Sequence, residues 1–134
     1  MLRLFKIKTN QREEIIDITD TIEELLKESV IDNGICIVFV MHTSAGIILN
    51  EDLDDTVRTD ILNTLNKIAP RDSSFKHFHD GNGDSHIKAS LIGTSINLIV
   101  SNGFILLGQW QRVLFCEFDG PRIRKVYIKI LADK

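Results

Sequence analysis

Three of the four histidines in this 134-residue chain, His77, His79 and His86, lie within ten residues of one another. Imidazole is the commonest metal ligand, and it also moves protons near neutral pH. The stretch from Arg71 to Gly83 that carries the first two has no hydrophobic periodicity and is rich in Asp, Ser, His and Gly. A loop of that length usually serves a function, so a metal or substrate site is expected there, with a solvated histidine-rich loop as the plain alternative. No H-E-x-x-H and no C-x-x-C occurs, so none of the strong zinc spacings is present. Asp84 stands where it can cap a helix, which puts His86 in the first turn. Free N–H groups and the helix dipole there favour an anion and a neutral, ligating imidazole. The bland reading is an N-cap and an exposed helical histidine.

A second group follows the apolar run Ile35–Met41, at His42-Thr43-Ser44. A serine hydrolase is excluded because no G-x-S-x-G elbow surrounds Ser44 and residues so close in sequence rarely reach nucleophile–base geometry. Hydroxyls and imidazole lining a polar pocket are expected instead. Asn50-Glu51 follow the next short apolar segment and either face the same pocket or solvate a helix entry. Arg122, after Pro121, is placed to bind phosphate. Strand alternation predicts Arg122 and Arg124 on the solvent face opposite Ile123, with Arg124 in surface ion pairs. Gly81-Asn82-Gly83 lacks the lysine and spacing of a phosphate loop.

The elements that must hold these residues fit one domain, residues 1–134. Hydrophobic residues make up 43% and charged residues 26%, which excludes a disordered chain. A net charge of −3 lacks the basic face that nucleic acid requires. The charge-free run Ala89–Gln111 is long enough to cross a bilayer, but Ser90, Thr94, Ser95, Asn97, Ser101, Asn102, Gly93 and Gly103 interrupt it, so it reads as buried sheet. Met1–Lys6 has no secretory apolar stretch, and Cys36 and Cys116 lie in apolar runs, so the cytoplasm is expected.

Alternation predicts a strand at Leu2–Thr9 and another at Glu14–Thr19. Asp20-Thr21-Ile22-Glu23 has the capping-box spacing and opens a helix to about Val30. Ile35–Met41 is continuous and β-branched, the pattern of a strand buried on both faces. Asp54 or Asp55 caps a helix that Pro70 ends, and Asp84 caps a third that Gly93 stops. Ser101-Asn102-Gly103 turns a hairpin, and strands follow over Gln109–Phe118 and Ile123–Leu131. The class is α+β, a largely antiparallel mixed sheet with two to three helices. So few helices cannot cover that much sheet, so another subunit is expected to cover the rest.

Together, His42-Thr43-Ser44-Ala45, Asn50-Glu51 with Asp54 and Val57, Gly81 to Leu91, Leu107-Gly108-Gln109-Trp110-Gln111 and Glu117 to Arg122 resemble, in order and over nearly the whole chain, the motifs of the YjbQ or UPF0047 family. The resemblance implies a compact α+β subunit, a homotrimer, a metal-binding histidine site and a secondary thiamine-phosphate synthase activity, which joins a pyrimidine diphosphate to a thiazole phosphate and releases pyrophosphate. The matching positions are His42, Thr43, Ser44, Asn50, Glu51, Asn82, Asp84, His86, Trp110, Gln111 and Glu117. Both His77 and His79 stand near the family's upstream histidine, and either can be its equivalent.

The resulting expectation is a metal-binding homotrimeric enzyme. His42, His77 and His86 hold a divalent metal, zinc for a nitrogen set without thiolate. His42, Glu51, Asp84 and Arg122 are its catalytic candidates, with Glu51 or Asp84 orienting a ligand or moving a proton and Arg122 assisting at phosphate. Thr43, Ser44, Asn50, Asn82 and Gln111 are its substrate contacts. The expected partners are a small phosphorylated molecule and other copies of the chain, with no nucleic acid and no membrane. The alternative is a non-catalytic trimer that binds metal or a small ligand.

Overall fold

The computed structural model describes residues 1–71, 74–77 and 81–134. Among them the elements run β1 Leu2–Lys8, β2 Glu14–Asp17, α1 Thr19–Ser29, β3 Gly34–Val40, β4 Ala45–Asn50, α2 Thr56–Ile68, α3 Gly83–Ile92, β5 Ser95–Ser101, β6 Phe104–Ile105, β7 Arg112–Glu117 and β8 Ile123–Ala132. The class is α+β, as expected. The strands form two antiparallel sheets, one of five strands in the order β1-β8-β3-β5-β6 and one of three in the order β2-β7-β4.

Alternation decides the core. Cys36, Val38 and Val40 of β3, Val126, Ile128 and Ile130 of β8 and Leu98 and Val100 of β5 turn to one side of the larger sheet, where Ile22 and Leu26 of α1 and Val113 and Phe115 of β7 meet them. The other side of β7, Leu114 and Cys116, packs with Ile15, Leu65, Ala89 and Phe118 under α2 and α3. The strand buried on both faces is therefore β7. The run at β3, expected to have that property, leaves Ile35 47% and Phe39 44% exposed. Its apolar continuity is real, but no element among the described residues covers the second face of the larger sheet.

Helix ends shift by a residue or two from the sequence reading. At α1 the N-cap is Ile18 rather than Asp20. The capping oxygen comes from Asp17, whose Oδ1 accepts from the N–H and Oγ1 of Thr19 at 2.9 and 2.6 Å. Asp54 serves Thr56 at α2 in the same way, at 2.9 and 2.6 Å. The N-cap of α3 is Asn82, so Asp84 lies inside the first turn with its side chain free for another use. The β5–β6 hairpin turns at Asn102 and Gly103 with φ of 52° and 79°, the paired left-handed residues of a type I′ turn. No helix among the described residues is long and apolar enough to cross a membrane. Cys36 and Cys116 are free and buried, and burial pushes the Cys36 thiol up to about 11, with Glu23 adding to it, and the Cys116 thiol up to about 12.

Candidate functional site

β3 ends where the Val40 N–H donates to the Thr94 carbonyl at 2.7 Å, and the chain turns through His42, Thr43 and Ser44 into β4. The end of α3 lies against β4, with the Ile47 N–H donating to the Gly93 carbonyl at 3.0 Å. Gly46 permits that approach, since a Cβ there would fall 2.6 Å from the Gly93 oxygen. Between them is a cleft of about 280 Å³ lined by His42, Thr43, His86, Ala89, Ser90 and Thr94. It shares His42, Thr43 and Thr94 with an open hollow that runs along Phe39, Val40 and Met41. His86, Ala89 and Ser90 stand at i, i+3 and i+4, one face of α3.

The backbone fixes both imidazoles. His42 Nε2 accepts the Lys125 N–H at 2.7 Å, which puts the ring proton on Nδ1. Burial lowers the His42 pKa first, and the Arg124 charge lowers it further; Glu117 opposes this, while Lys125 and Arg122 add to it. His86 Nδ1 lies 3.2 Å from the Thr43 carbonyl. A carbonyl only accepts, so Nδ1 carries the proton and Nε2 is left as the basic atom. The His77 ring meets that of His86 edge-on, with centroids 4.7 Å apart. His79 lies outside the described residues.

The opposite face of α3 is held by charge. Lys88, fully buried, donates from Nζ to Asp84 Oδ2 at 2.7 Å, Asn66 Oδ1 at 2.6 Å and Glu13 Oε2 at 3.2 Å. Arg12 reaches Asp84 at 3.0 and 3.3 Å. Asp84, expected to orient a ligand or move a proton, is thus 1% exposed and lies two residues from His86, on the other side of the helix. Sequence reading missed Arg12 and Glu13 because their partners lie 72 and 75 residues away and leave no local signal; it also passed over Lys88, whose i,i+4 spacing from Asp84 was a local signal.

Arg124 is 3% exposed, against its expected place on the solvent face, and Ile123 is 62% exposed. Arg124 shares the parity of Val126, Ile128 and Ile130, the inward residues of β8, but Ile123, Tyr127 and Leu131 make the other parity apolar too, so alternation leaves its side undecided. Its Nε donates to Glu117 Oε1 at 2.8 Å and its Nη2 to Glu117 Oε2, to Ser44 Oγ at 3.0 Å and to the Ser44 carbonyl at 3.3 Å. Arg122 is exposed and bonded to Asp119, through Nε to the carbonyl at 2.7 Å and Nη2 to Oδ2 at 2.9 Å. Asn82 donates to the same Asp119 Oδ2 at 2.9 Å.

The remaining expected contacts sit elsewhere. β4 carries the chain from Ala45 to Asn50 over about 17 Å at ~3.3 Å per residue, away from the cleft. Asn50 pairs in register with Arg112 and accepts the Glu51 N–H at 2.8 Å, so Asn50 and Glu51 stand near Gln111 rather than His42. Gln111 closes its own turn by accepting the Gly108 N–H at 2.8 Å, beside the exposed Trp110.

Chemically, the cleft joins one ring N–H, one basic ring nitrogen and hydroxyl groups under nearby positive charge, an arrangement suited to an oxyanion and to proton transfer. It does not assemble the expected metal triad. His42 Nε2 is occupied, and ligation through Nδ1 would need a proton on the nitrogen that already accepts the Lys125 N–H. Among the described residues no three His, Cys, Asp or Glu side chains converge on a metal position.

A family model described as "UPF0047 protein YjbQ-like" matches residues 3–133. A UPF0047 protein of Methanocaldococcus jannaschii is 48% identical over all of this chain and 96% of its own length, and UPF0047 protein YugU of Bacillus subtilis is 42% identical over 98% of this chain and 100% of its own. Among solved structures, an uncharacterized conserved protein of the YjbQ/UPF0047 family from Clostridium acetobutylicum superposes with a TM-score of 0.92 at 44% identity, covering 96% of this chain and 99% of that one. A YbjQ-like protein of unknown function from Sulfolobus solfataricus gives 0.94 at 32% identity, covering 99% and 97%. These relatives bear family names only, none of them that of a thiamine-phosphate synthase. With the missing triad, this overturns the expected metal-binding thiamine-phosphate synthase. By sequence over nearly its whole length and by fold, the chain belongs to the YjbQ-like UPF0047 family.

Proposed function

We propose that the cleft between the end of β3 and α3 binds the phosphoryl group of a small molecule, and that His86 exchanges a proton with the bound group. One observation carries this reading: the two imidazoles are held as complements. His42 offers an N–H at Nδ1 because Nε2 already accepts, and His86 offers a lone pair at Nε2 because Nδ1 already donates. Arg124, Lys125 and Arg122, whose charges bear on His42, favour an anion beside it. The test is titration of inorganic phosphate into isotope-labelled, EDTA-treated protein followed by amide NMR. Saturable shifts confined to residues 42–44 and 86–90, with affinity falling roughly tenfold in His86→Ala as for one lost hydrogen bond, are expected. Shifts elsewhere, or undiminished affinity in the variant, overturn the reading.

A divalent metal is proposed only in a narrower form, zinc first for its affinity for imidazole, with His77 and His86, whose rings meet edge-on, as the candidate ligands among the described residues. Equal metal content in purified wild type and His86→Ala would exclude it. The uncovered face of the larger sheet supports a homotrimer, since Leu2, Ile37, Phe39, Tyr127 and Lys129 surround an open hollow of about 370 Å³ and Ile35, Ile99 and Leu131 are exposed. Light scattering reads its mass. Two free cysteines suit a cytoplasmic protein, and the net charge of −3 disfavours nucleic acid and anionic membrane as partners.

A further inference from the structure

Arg124 and Glu117 are 3% and 0% exposed, a buried ion pair where two apolar residues of similar volume would serve the core as well. Its hydrogen bonds show what else it does. Glu117 accepts from Thr9 Oγ1 at 2.7 Å, from the Asp119 N–H at 3.0 Å and from the Arg124 guanidinium, so the carboxylate is saturated and its position fixed. The guanidinium spends its remaining contacts on Ser44, at both Oγ and the carbonyl oxygen. Ser44 is the residue after Thr43, whose carbonyl receives the His86 Nδ1–H. The residue after Arg124 supplies the N–H that His42 Nε2 accepts. The first inward residue of β8 and its neighbour thus touch the supports of both rings.

We infer that the buried Arg124–Glu117 pair is the positioning element of the cleft: by clamping Ser44 it fixes the Thr43 carbonyl, and through it which nitrogen of His86 carries the proton. Its value for function rests on the phosphoryl-binding reading, but its geometry does not. A guanidinium is required because one planar group must meet a carboxylate on one edge and Ser44 on the other, which an ammonium cannot do. Neither residue of the pair lines the cleft; it bears on the rings through Ser44, Thr43 and Lys125, and through the Arg124 charge on His42.

The test is long-range proton–nitrogen NMR on ¹⁵N-histidine protein, treated with EDTA and free of phosphate. The expected wild-type signal is His86 protonated at Nδ1, and Arg124→Lys, with its other amide shifts retained, is expected to move that signal to the Nε2–H form or a mixture and to weaken inorganic phosphate binding roughly tenfold, the scale of one oriented hydrogen bond. Ser44→Ala keeps the carbonyl contact and is expected to give a smaller change of the same kind. A folded Arg124→Lys with the wild-type His86 signal overturns the inference. Should that variant not fold, a folded Ser44→Ala with unchanged signal and affinity overturns it equally. Loss of phosphate binding in the wild type with the Nδ1–H form intact removes the functional reading and leaves the positioning role standing.

Discussion

Lys88→Met removes a charge that the fold encloses completely while keeping a side chain of similar length. Its ammonium lies 2.7 Å from Asp84, 3.2 Å from Glu13 and 2.6 Å from Asn66, with the lysine side chain 0% exposed. Removing one partner of a buried pair costs ~3–5 kcal/mol, because the other charge stays buried. Here Asp84 keeps Arg12 at 3.0 and 3.3 Å, so the lower end, about 3 kcal/mol, is expected. At ~2.1 cal/mol/K per residue over 134 residues the unfolding entropy is about 0.28 kcal/mol/K, so Tm should fall by about 11 °C. Burial pushes the Asp84 pKa up, yet hydrogen bonds from Arg12 and Lys88 hold it below its ordinary 3.8. Its stabilising contribution is therefore present above pH 3.8 and lost as pH falls through the lower folded value. Calorimetry and urea unfolding at pH 7 and pH 3 should show the cost of Lys88→Met shrinking in acid. Adding Asp84→Asn should cost less than the sum of the single changes, by ~1–3 kcal/mol. A Tm drop of less than about 3 °C, the scale of an exposed pair, or strict additivity in the double variant, would refute the account of α3 as a helix anchored by buried charge.

Two further outcomes are expected. His42 has a folded pKa below its ordinary 6.5, so the unfolded chain takes up the proton first as pH falls; urea midpoints should decline below pH 6.5 through this group, and His42→Gln, which keeps a hydrogen-bond acceptor, should show a shallower decline. Gly46→Ala places a Cβ 2.6 Å from the Gly93 carbonyl oxygen and 2.8 Å from Ile92, so it should destabilise by ~1–3 kcal/mol; a fall in urea midpoint that vanishes within error would refute the close packing of α3 on β4.

The period of each segment was legible in the residues themselves. Alternation marked β1, the apolar stripe Val57, Ile61, Leu62, Leu65 marked α2, and Asn102-Gly103 marked the hairpin, because each depends on neighbours within a few positions. His42, Thr43 and His86 were also singled out, and the structure brings them to one cleft. Phase and partnership were not legible. β8 carries apolar residues on both parities, Ile123, Tyr127 and Leu131 outward and Val126, Ile128 and Ile130 inward, so only packing against the second sheet decides that Arg124 points in. β3 reads as doubly buried because a run of apolar residues records what the strand tolerates, not what covers it. Asp84 reads as a cap because capping is local; its partners are Lys88, one helical turn on, and Arg12, 72 residues away, and only the fold brings the second to it. Asn50, Glu51 and Gln111 are short steps along the chain from their motifs, yet an extended strand carries them to the far end of the smaller sheet. Sequence alone determined which residues can bind an anion and move a proton; the antiparallel register of β7, β4 and β8 decided which of them meet, since contacts across strands depend on how distant segments pair.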